Sequence, residues 1–189
     1  MIKIGVLISG GGTNLQAIID ACGLGDLPAK VSVVISNKAD AYGLERAKKA
    51  GIDQLYTNDD ERILATLQGY DVDIVVLAGY LKLIAKDLVQ AFEGRMLNIH
   101  PSLIPAFSGK GYYGLKVHQA AIDRGVKVTG ATVHLVDENF DEGKILIQEV
   151  VAILPTDTAE TLQARVLSVE HRILITAIAE VIGGLDGYV

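Results

Sequence analysis

The sequence has little cysteine, few aromatic residues and fewer basic than acidic side chains. Cys22 is the single cysteine among 189 residues, so neither an intrachain disulfide nor a metal site with several cysteine ligands can form. This composition is typical of proteins in a reducing cytoplasm. The 17 basic and 23 acidic side chains give a net charge of −6, which argues against a nucleic-acid-binding surface.

Long hydrophobic runs are also missing. The longest one, at residues 74–81, is much shorter than the ~20 residues that a transmembrane helix needs. The N-terminal Met-Ile-Lys-Ile-Gly-Val has no basic region followed by an apolar one, so we expect no signal peptide and a cytoplasmic location. The length fits one domain at ~100–200 residues per domain, and we expect residues 1–189 to form it.

Apolar residues nevertheless make up 50% of the chain, and there are 20 glycines. Short apolar runs alternate with helical patterns, which predicts an α/β fold with a doubly wound, mostly parallel sheet. Two β-branched segments flank a turn-rich one near the C-terminus, which predicts an antiparallel hairpin there. A glycine-rich tail at 183–187 predicts a loose chain end. The predicted strands are 2–9, 30–36, 55–56, 72–78, 96–100, 128–136 and 144–151, and the predicted helices begin at Thr13 or span 41–50, 59–68, 86–92, 115–123 and 158–182.

A glycine loop, Gly10-Gly11-Gly12, separates the first predicted strand from the first helix. Thr13 and Gln16 have the spacing of a capping box at the helix start. Backbone N–H groups at such a position bind anions, so the loop predicts a phosphate site, although a tight turn without a ligand would have the same sequence. It is not a dinucleotide fingerprint, because Leu15 stands at the third glycine position, and it lacks the Gly-Lys-Ser/Thr of a P-loop.

Asn98 and His100 lie at the end of the predicted strand 96–100. The two-residue period of a strand places them on one face and turns Ile99 towards the core. An amide donor beside an imidazole suits the stabilisation of an oxyanion that develops on a carbonyl. The alternative is a structural histidine that bonds to backbone groups at the strand end.

The segment 137–143 contains four carboxylates, which by default form a solvated turn. A catalytic role requires one of them beside His100, where it would raise the pKa of the imidazole. Three further histidines do not have a metal-binding spacing, so we expect no metal site. They are His118, His134 and His171.

Taken in chain order, the glycine loop, the Asn98–His100 strand end and the acidic segment 137–143 resemble the phosphoribosylglycinamide formyltransferase family of purine synthesis, and the resemblance covers residues 2–182. Asn-Ile-His-Pro-Ser-Leu-Ile-Pro at 98–105, with Asp-Glu-Gly at 141–143, is typical of formyltransferases that use 10-formyltetrahydrofolate. The glycine loop indicates the glycinamide ribonucleotide member. The resemblance implies a Rossmann-like formyltransferase fold and formyl transfer to the amine of 5'-phosphoribosylglycinamide. Further matching segments are 8–19, 77–80, 125–134 and 165–171.

The resemblance implies catalytic roles for three residues. Asn98 and His100 would polarise the formyl oxygen and stabilise the tetrahedral intermediate. Asp141 would keep His100 protonated and help to relay a proton through water. The reaction would need no covalent enzyme intermediate and no metal, its partners would be small molecules, and the protein would be a monomer or a homodimer.

The resemblance also implies two sets of binding residues. One set would hold the phosphate and the glycinamide end of the substrate, and the other would line the folate pocket together with backbone of the 137–141 loop. The first set is Gly12, Thr13, Asn14 and Glu170, and the second is Leu81, Lys82, Leu83, Ile84 and Asn98.

The sequence departs from the family pattern at a few positions. Lys82 stands where the family usually has Arg, and Glu142 and Lys144 change the common Asp-Gly-Gly-Pro run. The segment 55–61 is shorter than in many relatives. Methionyl-tRNA formyltransferase and formyltetrahydrofolate hydrolase share the Asn-His-Asp set, but we expect neither, because each carries an extra domain. A silent phosphoribosyl-binding protein is the alternative of a different class.

Overall fold

The computed structural model describes residues 1–186, which contain seven strands and six helices. The strands are β1 (Ile2–Ile8), β2 (Ala29–Ser36), β3 (Asp53–Tyr56), β4 (Ile74–Leu77), β5 (Met96–His100), β6 (Val128–Leu135) and β7 (Ile145–Ala152). The helices are α1 (Thr13–Leu24), α2 (Tyr42–Lys49), α3 (Asp60–Gly69), α4 (Lys86–Ala91), α5 (Leu115–Arg124) and α6 (Ala159–Asp186). No helix in this part of the chain is long and apolar enough to cross a membrane.

The strands form one sheet in the order β3-β2-β1-β4-β5-β6-β7. The first five are parallel, whereas β6 runs antiparallel to β5 and β7 antiparallel to β6. The chain order reverses between β1 and β4, and ligands bind at such a point in open α/β sheets. The predicted doubly wound sheet and its antiparallel C-terminal hairpin are therefore confirmed.

Apolar side chains bury both faces of the sheet. On one face, Ile4 and Val6 of β1 share a core with residues of α1, α2 and α6. On the other face, Leu7 packs in a second core with residues of α3 and α4. Burying one such side chain stabilises the fold by roughly 1.5–3 kcal/mol, which is why the central strands are apolar without alternation.

Two local predictions are wrong. Gly12 is the N-cap of α1 in a left-handed conformation and no side chain caps the helix, so Thr13 and Gln16 form no capping box. The side chain of Gln16 instead donates to Asp20 and accepts from Arg46, because α2 lies beside this turn.

The predicted loose tail is wrong for residues 183–186, which continue α6. Ile178 and Ile182 are buried and Leu185 packs against the same core, so the apolar face of the helix extends past the glycines. Gly187 lies outside the described residues.

Candidate active site

A cavity of about 850 Å³ opens at the edge of the sheet where the parallel strands have their carboxyl ends. The segments that directly follow β1, β2 and β4 line it, together with the end of β5. Long loops and α6 complete the wall. The lining comprises residues 10–14, 37–38, 78–81, 98–101, 109–114, His118, 140–141, Gln163, Leu167 and Glu170.

Asn98, His100 and Asp141 meet in this cavity. Nδ1 of His100 lies 3.4 Å from Oδ2 of Asp141, and Nδ2 of Asn98 donates to Oδ1 of Asp141 at 3.2 Å. Ile99, between the two β5 residues, packs in the core as the strand period predicts. Asp141 comes from the loop between β6 and β7 and has a positive φ of 57°. The fold thus brings one carboxylate of the acidic loop to the imidazole.

His100 is almost completely buried, and oxygen atoms face both of its ring nitrogens. Nε2 lies 2.9 Å from the carbonyl oxygen of Phe107, to which it can only donate. Burial lowers the pKa of His100, and although the Asp141 carboxylate and the Phe107 carbonyl raise it, the net direction is downward. Asp141 therefore acts on the pKa of His100 in the expected direction, but burial outweighs it.

His134 of β6 is a member of this cluster that the sequence pattern did not single out. Its Nδ1 lies 2.8 Å from the carbonyl oxygen of Leu135, so a neutral ring carries its proton there. Nε2 then accepts from Nδ2 of Asn98 at 3.0 Å. Both N–H groups of the Asn98 amide are thereby used, one on His134 and one on Asp141. The feature that points to His134 is the register between β5 and β6, in which His134 lies directly opposite Asn98.

Asp141 also ties the 109–114 loop to the site. Its Oδ2 accepts from the backbone N–H of Gly109 at 2.9 Å. Burial raises the pKa of Asp141, but its contacts with His134, His100 and this N–H lower it, and the net direction is downward. The carboxylate is therefore charged at neutral pH and holds loop, strand and imidazole together.

The predicted phosphate site lies on the same cavity, at the start of α1. Gly12 has φ 69° and ψ 33°, a conformation that glycine adopts at little cost. Nδ2 of Asn14 donates to Oε2 of Glu170 at 2.8 Å, so α6 supplies a buried carboxyl beside the loop. Burial raises the pKa of Glu170, and the Asn14 hydrogen bond opposes this only in part.

The predicted folate segment is only partly at the cavity. Leu81 lines it and donates its backbone N–H to the hydroxyl of Ser9 at 2.9 Å. Lys82 does not line it, because its Nζ binds the carboxylate of Asp60 at 2.7 Å and the Asn58 carbonyl oxygen at 2.9 Å. Leu83 is exposed and Ile84 is buried in the second core, so neither lines the cavity.

Three further cavity residues were missed as functional candidates. Lys38, which directly follows β2, and Lys110, in the glycine-rich loop 109–114, place positive charges at the cavity wall. His118 of α5 is buried, and burial followed by the proximity of His100 lowers its pKa to about 4. A histidine on a helix has no sequence signal for this placement. Among residues 1–186, no group of three or more His, Cys, Asp or Glu side chains could hold a metal ion.

Known proteins share both the sequence and the fold. The formyl transferase family model matches residues 2–178. The phosphoribosylglycinamide formyltransferase of Haemophilus influenzae is 50% identical over 92% of this chain and 84% of its own length. The chloroplastic phosphoribosylglycinamide formyltransferase of Vigna unguiculata is 45% identical, and the chain spans 59% of that protein's length. The crystal structure of glycinamide ribonucleotide transformylase 1 from Symbiobacterium toebii superposes with a TM-score of 0.90 at 49% identity, over 97% of this chain and 89% of that one.

Proposed function

Because the chain belongs to the formyl transferase family, and within it to the phosphoribosylglycinamide formyltransferases, we propose that it transfers a formyl group from 10-formyltetrahydrofolate to the amine of 5'-phosphoribosylglycinamide. The observation that carries the proposal is the meeting of Asn98, His100 and Asp141 in one cavity with an anion-binding glycine loop. The Asn98, His100 and Asp141 cluster can serve acyl transfer, and the glycine loop can hold a phosphate.

The substrate phosphate binds at the N–H groups of Gly12, Thr13 and Asn14, where the α1 dipole favours an anion. Lys38 and Lys110 add positive charge at the same wall. Glu170 takes the glycinamide end, and its contact with Asn14 links the two subsites. The substrate is therefore held from its phosphate to its amine, with the amine directed towards β5.

The amine attacks the formyl carbon directly. A C–N bond forms, the carbonyl becomes an oxyanion, and collapse of the tetrahedral intermediate breaks the bond from that carbon to N10 of the folate. One proton leaves the attacking nitrogen and one reaches N10, so the transfer needs no redox partner. We propose that no metal takes part, since positioning and oxyanion stabilisation can supply the catalysis.

Asn98 is proposed to stabilise the oxyanion with its amide N–H. Both of its N–H groups are engaged in the free protein, at 3.0 Å with His134 and at 3.2 Å with Asp141. The formyl oxygen therefore replaces one acceptor, and the longer contact with Asp141 is the easier one to exchange. His134 keeps the amide oriented during this exchange.

His100 is proposed to begin the reaction neutral. Its lowered pKa makes it a base that can take the proton of the attacking amine. The carboxylate of Asp141, 3.4 Å away, then stabilises the imidazolium until the proton passes to N10. Asp141 thus acts mainly on the charged intermediate rather than on the free protein.

The folate is proposed to bind beside Leu81, the adjoining backbone of residues 82–84 and the 137–141 loop. Lys82 contributes by holding this segment against Asp60 and Asn58 rather than through a direct contact. We further propose a cytoplasmic location, supported by the single cysteine, and an assembly no larger than a homodimer.

The test follows 10-formyltetrahydrofolate with purified protein, with and without phosphoribosylglycinamide. We expect consumption only when the amine substrate is present, with one formylated product for each folate released. Consumption without the amine would instead identify a hydrolase. Binding of both ligands without any turnover would identify a silent binding protein and contradict the proposal.

A further inference from the structure

The glycine loop is held from behind by α2. The backbone N–H of Gly43 donates to the Gly10 carbonyl oxygen at 3.0 Å. Nε of Arg46 donates to the Gly11 carbonyl oxygen at 2.8 Å. Two consecutive carbonyl groups of the loop are therefore both bound by one turn of the same helix.

These two hydrogen bonds set the direction of the opposite peptide groups. In a trans peptide, the C=O of one residue and the N–H of the next point in opposite directions. Because the carbonyls of Gly10 and Gly11 point to α2, the N–H groups of Gly11 and Gly12 point away from it. Neither N–H has an acceptor among the residues that the structure describes, and both residues line the cavity.

The close approach of α2 depends on its own glycine. A Cβ on Gly12 would lie 2.7 Å from Cα of Gly43, and a Cβ on Gly43 would lie 2.4 Å from Cδ1 of Ile8. Arg46 spans the remaining gap, and its Nη1 also donates to Oε1 of Gln16 on α1 at 3.2 Å. The guanidinium thus joins α2 to both the loop and the helix that follows it.

We infer that Arg46 is a positioning residue that orients the backbone N–H groups of Gly11 and Gly12 towards the substrate phosphate. The inference rests on the proposed function, since it concerns the phosphate subsite of that reaction. Arg46 acts through the loop, because it is not among the residues that line the cavity. Its Nε and Nη1 donate to Gly11 and Gln16, so its contribution is the geometry of the loop rather than a direct contact with the anion.

The test compares Arg46→Met with Lys49→Met. Both remove one positive charge from α2, and both side chains lie over the ring of Tyr42, at 5.1 Å for Arg46 and 5.6 Å for Lys49. Arg46 alone of the two bonds to the glycine loop. We expect Arg46→Met to raise the KM for phosphoribosylglycinamide about 10-fold, the effect of one lost hydrogen bond from a charged donor. The KM for the folate and kcat stay within about 2-fold, and Lys49→Met matches the wild type.

A substrate without the phosphate, glycinamide riboside, separates this role from a general effect on the site. We expect the wild type and Arg46→Met to use it with equal kcat/KM. An equal loss on both substrates, equal effects of the two variants, or an unchanged KM in Arg46→Met would overturn the inference. If Arg46→Met does not fold, as judged by its thermal melt, Arg46→Gln takes its place with the same expectations, because its side chain is too short to reach Gly11.

Inorganic phosphate gives a readout that does not need turnover. We expect phosphate to raise the melting temperature of the wild type and of Lys49→Met, and to raise that of Arg46→Met only at about 10-fold higher concentration. Equal phosphate responses would overturn the inference. A wild type that transfers no formyl group would refute the proposed function, whereas the phosphate melts would still decide the role of Arg46.

Discussion

At the scale of single residues, His100 and Asp141 form a pair in which two effects oppose each other. Burial lowers the pKa of the imidazole, and the carboxylate raises it by a smaller amount. A buried neutral base beside a charged carboxylate can accept a proton and then stabilise the charge that it gains. The pair is therefore suited to a proton that is held only during the reaction.

The pH profile of the Asp141→Asn variant tests this balance. Activity needs neutral His100 at the start, so kcat/KM falls as the pH drops through the lowered pKa of His100. Asparagine removes the negative charge that raises this pKa, so we expect the acid limb of kcat/KM to move to lower pH, together with a lower maximum. Profiles of wild type and variant between pH 5 and 8 measure it. An acid limb that moves upward would contradict the assignment.

His100 itself is tested by replacement with alanine. We expect His100→Ala to keep its fold and to lose at least ~100-fold in turnover, the lower range for a general acid–base residue. Steady-state kinetics measures the loss, and circular dichroism checks the fold. Activity near that of the wild type would refute the role of His100.

The buried carboxyl of Glu170 lowers the stability of the fold, and the same carboxyl is proposed to bind the glycinamide end of the substrate. Burial raises its pKa, so the folded state is less stable at pH 7 than it would be with an uncharged side chain there, and this cost declines as the pH falls from the folded pKa to the unfolded one. Glutamine removes the charge and can still accept from Asn14. We expect Glu170→Gln to raise the free energy of unfolding at pH 7 and to raise the KM for phosphoribosylglycinamide. Urea unfolding and kinetics measure the two effects, and a less stable variant would contradict the first.

At the scale of elements, the glycine loop takes its shape from α2 as well as from α1. The left-handed Gly12, the packing of Gly12 against Gly43 and the Arg46 hydrogen bond all act on the same turn. A capping box was predicted from Thr13 and Gln16 because sequence shows only local spacing. The neighbouring helix instead draws the Gln16 side chain to Arg46.

Gly43→Ala tests this contact. Alanine is the better helix former by ~1 kcal/mol, but its Cβ would lie 2.4 Å from Ile8 and 3.3 Å from Cα of Gly12. Overpacking of this kind costs about 1–3 kcal/mol, so we expect a less stable protein with a higher KM for phosphoribosylglycinamide.

Gly23→Ala is the matched control within α1, since its added Cβ meets nothing within 4 Å. We expect this variant to be more stable by about 0.5–1 kcal/mol, with unchanged KM. Thermal and urea unfolding of the two variants measure the difference. A stabilised Gly43→Ala variant with normal KM would show that the close approach is not needed.

At the scale of the whole molecule, acid stability depends on histidines whose pKa is lowered by burial. The pKa values of His100, His118 and His171 are all lowered, with burial as the largest cause. A lowered pKa means that the unfolded chain binds protons more readily, so folded stability falls as the pH falls. For His118, with a pKa of about 4, the loss runs from about pH 6.5 to pH 4 and amounts to roughly 3 kcal/mol.

The His118→Gln variant measures this contribution. Glutamine does not titrate, so we expect the free energy of unfolding to fall between pH 7 and pH 4 by roughly 3 kcal/mol less than in the wild type. Urea unfolding at both pH values gives the difference within each protein. Equal losses in the two proteins would mean that His118 is not held neutral.

Net charge also acts at this scale. The chain carries −6, although both proposed ligands are anionic. Lys38 and Lys110 at the cavity and the N–H groups of the loop supply local attraction, which the field of the whole molecule does not. The sequence gives the net charge, but only the fold shows that positive side chains lie at the cavity.

The sequence alone determined the strands, most helices and the placement of Asn98 and His100 on one face of their strand, because these depend on the spacing of neighbouring residues. Tertiary structure decided which carboxylate of the acidic loop reaches His100, that His134 joins the cluster, and that Arg46 holds the glycine loop. These contacts join residues 35–43 positions apart, at 43 for Asn98 and Asp141, 36 for Asn98 and His134, and 35 for Arg46 and Gly11. Burial likewise decided the direction of the His100 pKa, since desolvation depends on everything packed around the ring and not on the adjacent carboxylate alone.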